Sequence, residues 1–71
     1  MQTFKKDEYR AAHTAAVLLA RKMQCDVGIL RTKEYTATVF QVFMLPKPQN
    51  RQGFELRCEV VTPTDPLGVT R

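Results

Sequence analysis

TATVFQVFML, residues 36–45, is apolar along nearly its whole length, and its reading decides the fold. β-branched and aromatic residues favour extended chain, and Pro46 and Pro48 stop the run, so it is read as one strand from Tyr35 to Leu45. Side chains of a strand alternate between its faces. Thr36, Thr38, Phe40, Val42 and Met44 therefore share one side, and Ala37, Val39, Gln41, Phe43 and Leu45 the other. Both sets carry large apolar groups. The chain offers one convincing helix to cover them, so one face of this strand has no obvious intramolecular cover, and an uncovered apolar sheet face marks a surface that meets another protein.

Upstream, Thr3 reads as an N-cap, Asp7 and Glu8 lie near the positive end of the helix dipole, and Arg21 and Lys22 fall in the last turn. Together they predict a helix from about Phe4 to Met23. At 100° per residue, Tyr9, Ala12, Ala16, Leu19, Ala20 and Met23 gather on the face expected to lie on the sheet, with Val17 and Leu18 outside that arc. From Asp26 the apolar period shortens towards two. Val27 to Leu30 reads as a first strand ending in a charged turn, Arg31 to Glu34. Downstream, the polar connection Lys47 to Gly53 leads into Phe54 to Thr62, where Phe54, Leu56, Cys58 and Val60 alternate with charged residues as in an amphipathic strand. Short connections favour an antiparallel meander. The predicted fold class is α+β: one N-terminal helix packed on a three-stranded antiparallel sheet, in the order α-β-β-β. Residues 1–62 form the domain, and 63–71, PTDPLGVTR, a flexible C-terminal tail.

Seventy-one residues make one small domain, which on folding buries only about 60% of the surface of its extended chain. Docking or dimerisation therefore weighs heavily in its stability. Two cysteines, Cys25 and Cys58, are not a disulfide framework, and no charged start leads into an apolar signal segment, so the sequence reads as reduced and cytoplasmic. No run reaches the ~20 apolar residues of a membrane span. The net charge of +4 is interspersed rather than blocked, which suits solubility and steering towards an acidic surface.

Catalytic chemistry finds little material. Cys25, His13 and Asp26 have the residue types of a thiol nucleophile set, but His13 and Cys25 stand twelve positions apart, about 120° round a helix and about 18 Å along it. One histidine and two isolated cysteines fall short of a zinc site, and the glycines are too scattered for a phosphate loop. No catalytic residue, metal, cofactor or small-molecule substrate is expected, and the protein is read as a non-enzyme.

Protein association is the leading reading. Its partner-binding residues are Phe40, Val42, Phe43 and Met44 on the long strand, with Lys47, Arg51 and Arg57 steering the encounter, and its partner is a larger protein, the chain itself as a homodimer, or both. A small basic chain of this kind suits a phage- or plasmid-type regulator or inhibitor acting on a host defence or nucleic-acid-processing protein. The strip Ala11, Ala15 and Leu18 is a second candidate contact, suited to close helix pairing. The alternative is a DNA- or RNA-binding regulator using the basic helix flank of Lys6, Arg10 and Arg21, with His13 between them.

Overall fold

The computed structural model describes residues 2–67, with every side chain among them except that of Phe54. Strand β1 (Gln2–Lys5) leads through a tight turn to helix α1 (Tyr9–Met23), followed by β2 (Val27–Glu34), β3 (Ala37–Met44), two single 3-10 turns at Pro48–Asn50 and Phe54–Leu56, and the short β4 (Glu59–Val61). The four strands form one sheet in the order β1-β3-β2-β4 with every neighbouring pair antiparallel. The class is α+β, one helix on an antiparallel sheet, as the periodicities imply, with one strand more than predicted.

The added strand comes from the expected start of the helix. Thr3 is not an N-cap; it lies in β1 opposite Gln41, and Phe4 lies opposite Phe40. The chain turns at Lys5, whose N–H donates to Glu8 Oε1 (2.8 Å) and whose carbonyl accepts from the Glu8 N–H (2.9 Å). Helix α1 therefore starts five residues later than Phe4, and Lys6 sits in the turn. The far end agrees with the sequence: Arg21 and Lys22 occupy the last turn, and Gln24 caps it in the left-handed conformation (φ 53°), its backbone N–H donating to the Ala20 carbonyl.

The buried face of α1 is Ala12, His13, Ala16, Val17 and Ala20, turned towards Val17 relative to the expected arc. Leu19 is partly buried and Met23 half exposed. The cause lies on the β4 flank, where Tyr9 donates its hydroxyl proton to Glu59 Oε1 and Arg21 Nη2 donates to the Asp65 carbonyl (2.9 Å). The chain wraps that side of the helix and leaves the Leu18 side open. Alanines at 12, 16 and 20 bring the helix axis close to the sheet, where Val27, Ile29, Val42 and Val61 complete the core and Phe4 and Phe40 pack at its margin.

Three further expectations change. Arg31 to Glu34 continue β2, because Ala37 to Phe40 supply their pairing partners, and the hairpin closes over Tyr35 and Thr36, with Tyr35 at φ 58°. The third predicted strand shrinks to Glu59–Val61, and its facing is reversed: Val61 and Glu59 pair with Val27 and Ile29 on the helix side, and Val60 points away. The sheet is not a meander, since β4 pairs with β2 rather than with β3. To reach that edge from the end of β3 the chain must cross the end of β2. Residues 46–58 make the crossing as loop, bent at Gln52 (φ 53°) and Gly53 (φ 81°). Of the predicted tail, Asp65 accepts from the Thr62 N–H (3.2 Å) and hydroxyl (2.9 Å), and residues 68–71 lie outside the described residues.

Candidate protein-binding surface

Pairing register sorts the side chains of the sheet. Phe4, Phe40, Val42, Val27, Ile29 and Val61 point to the helix; Lys5, Thr3, Val39, Gln41, Phe43, Leu30, Thr32 and Val60 point away. Among the described residues α1 is the single α-helix, so this second face has no helix over it. Val39, between Lys5 and Thr32, is buried, while Leu30, Thr32, Gln41, Phe43 and Val60 are partly buried.

Gly28 shapes one end of the face. The Phe43 ring and the Cys58 thiol both occupy the space a side chain at 28 would fill, each 3.1 Å from an ideal Cβ there. Glycine thus suits this position by the close approach of two side chains, not by backbone freedom. Gly28→Val is expected to displace Phe43 and Cys58 and to cost about 1–2 kcal/mol through overpacking, read as a lower urea midpoint with an unchanged slope.

The loop 46–58 is fastened beside this end. Arg51 Nη2 meets Asp26 Oδ2 at 2.9 Å, and Arg51 Nε donates to the Pro46 carbonyl at 2.8 Å, with the arginine side chain 9% exposed. Arg51 is therefore a structural clamp and not a free steering charge. Lys47 and Arg57 are exposed. Of the strand residues named from sequence, only Phe43 lies on the helix-free face. Phe40 packs edge-on against Tyr9 (ring centroids 5.3 Å) on the helix side, and Val42 is fully buried. Met44, also on the helix side, is half exposed where the strand runs past the end of β1. The fold does not present the four as one surface, since a strand divides its residues between two faces. Leu30, Thr32 and Val60 are members of the outward face that the sequence reading missed. Alternation through Arg31 to Glu34 was the available signal, hidden because those charged residues resemble a turn.

The basic row does not assemble either. Lys6 lies in the turn before α1, Arg10 is exposed in its first turn, His13 is buried against Tyr9, and Arg21 is engaged with the Asp65 carbonyl. Among the described residues His13 Nδ1 has no hydrogen-bond partner. Asp26, committed to Arg51, is not offered to Cys25. Burial pushes the Cys58 thiol above its ordinary pKa, opposed by the Arg51 guanidinium and reinforced by Glu55, so at neutral pH it stays a protonated, weakly nucleophilic thiol. Among the described residues no three His, Cys, Asp or Glu side chains come together as a metal site, and no helix is long and apolar enough to cross a membrane.

Compared with known protein families, curated proteins and solved structures, the chain matches none of them.

Proposed function

We propose that this protein is a small non-enzymatic regulator or inhibitor that works by occupying a surface of a larger protein. The carrying observation is the helix-free face of its sheet, where Phe43 and Val60 flank Gly28 at one end, Leu30 and Gln41 lie in the middle, and Val39 and Thr32 continue the face towards Lys5. Apolar side chains of this size each contribute roughly 1.5–3 kcal/mol when taken fully out of water, so even partial burial of three of them supports a specific complex. Threonine and glutamine between them keep the free molecule soluble and offer hydrogen bonds at the contact. Exposed Lys47 and Arg57, with the net charge of +4, favour a partner surface of negative potential and raise the association rate more than the affinity.

The test has two steps: affinity capture from the native host identifies the partner, and titration of the purified pair measures binding. Phe43→Asp is expected to weaken binding at least a hundredfold while the far-ultraviolet circular dichroism of the variant stays that of the parent. A folded variant that binds as tightly as the parent would overturn the reading. A mobility-shift titration at low and moderate salt is the accompanying control: salt-sensitive retardation of nucleic acid, removed by Arg10→Glu, would favour a nucleic-acid regulator instead.

A further inference from the structure

A second surface lies along the helix, bordering the helix-free sheet face at Phe43, which lines both. Leu18 (51% exposed) and Met44 (51%) are large apolar side chains left open together where the C-terminal half of α1 faces the ends of β1 and β3. Between helix and strands runs a groove of about 660 Å³, walled by Ala15, Leu18, Leu19 and Lys22 and closed on the strand side by Gln2 and Met44. Nothing described covers it, because the chain returns to the sheet on the opposite flank of the helix, at Glu59 and Asp65.

The charges along this flank select the occupant. Ala11, Ala15, Leu18 and Lys22 follow one another at spacings of three and four residues, which places them in one row along the helix, and the N-cap residue Glu8 precedes that row at its N-terminal end. The row is acidic at its N-terminal end, basic at its C-terminal end and uncharged between. Laid antiparallel on a second copy of itself about a two-fold axis near Ala15, it brings each Lys22 to the other copy's Glu8 and each Leu18 over the other copy's Ala11. No like charges meet at the axis, and opposed helix dipoles favour the same orientation. Glu8 accepts the Lys5 N–H through Oε1 and so has Oε2 for the second copy. Alanine at 11 and 15 permits a close helix approach, and Leu18 is carried onto the other copy's helix rather than into water.

We infer that the protein forms a homodimer through antiparallel packing of this α1 flank, with Leu18 as its apolar anchor and Glu8 and Lys22 as its orienting pair. One helix flank about 21 Å long is small beside the ~800 Å² per partner of a standard interface, so the association is micromolar or weaker.

Sedimentation velocity of the full chain, from micromolar to millimolar concentration, tests this. The parent is expected to pass from monomer to dimer across that range, with a dissociation constant that rises with salt. Leu18→Asp, a change at a half-exposed position that leaves the circular dichroism unaltered, is expected to stay monomeric throughout. Lys22→Glu is expected to weaken the dimer about tenfold by turning two attractions into repulsions, and adding Glu8→Lys to it restores dimerisation. A parent that is monomeric at millimolar concentration would overturn the inference, as would an undiminished Leu18→Asp dimer. A charge reversal without effect, or without rescue, would refute the antiparallel arrangement. If the groove belongs to a helix of another protein instead, the parent stays monomeric alone, which is the first of these outcomes.

Discussion

Val42→Asp is expected to unfold the protein. Val42 has no exposed surface and lies in the cluster of Ala12, Ala16, Val17, Ala20, Val27, Ile29 and Val61 between helix and sheet. The substitution removes a buried apolar side chain worth roughly 1.5–3 kcal/mol. It also puts a carboxylate into a cluster of apolar side chains, at an effective cost of several kcal/mol more whether it stays charged or is forced to protonate. Against a total stability near the lower end of the usual range of roughly 5–15 kcal/mol, in so small a chain, that loss leaves no cooperative transition. Circular dichroism at neutral pH and a urea titration give the measurement: helical signal lost, and no sigmoidal unfolding curve. The neighbouring Phe43→Asp keeps its helical signal, since residue 43 points to the other face. A folded Val42→Asp would mean that the helix does not lie on the side of β3 assigned to it.

Asp26→Ala carries the next largest effect. The Arg51 guanidinium is nearly enclosed, and its carboxylate partner is 28% exposed. Breaking a fully buried pair costs about 3–5 kcal/mol because a charge is left uncompensated, whereas an exposed pair is worth at most about 1. This pair lies between, and Asp26→Ala is expected to lower stability by about 2–3 kcal/mol. Arg51→Met removes the charge along with the bond, keeps an apolar stem of similar length, and is expected to cost clearly less. Urea midpoints of the two variants measure the difference. Equal losses would mean that the clamp acts through its hydrogen bonds alone, with no contribution from the stranded charge. Because the pair ties the loop 46–58 to the start of β2, Asp26→Ala should also speed amide exchange at Asn50 and Arg51, whose N–H groups donate within that loop.

The parts of the molecule read correctly from sequence were those announced by local signals. Arg21 and Lys22 mark the end of α1, the change of period after Asp26 marks the entry into sheet, and the prolines at 46 and 48 end the long strand. Residues 2–5 differ from the expectation for a local reason too: a threonine four and five positions ahead of acidic residues reads as an acceptable N-cap, and four residues are too few to show an alternation. What makes them a strand is β3, far along the chain, which offers open backbone groups beside Gln2 to Lys5. Val60 and Val61 pose the same difficulty. Both are β-branched, and only the pairing of Val61 with Val27 decides which of them enters the core. The helix presented Val17 and Leu18 as equivalent outsiders; the chain folding back at Glu59 and Asp65 buried the first and left the second in water.

Residue order by itself determined the α+β class, the single amphipathic helix and the surplus of apolar surface on residues 36–45, because periodicity and the stop signals of proline act over a few residues and need no partner. The tertiary structure alone decided that Phe43 rather than Phe40 faces outward, that Arg51 is spent on Asp26, and that Leu18 and Met44 line one open groove. Those outcomes depend on which strand takes which neighbour and in what register, a choice made by contacts between segments distant in the chain, where a shift of one residue exchanges the two faces of a strand.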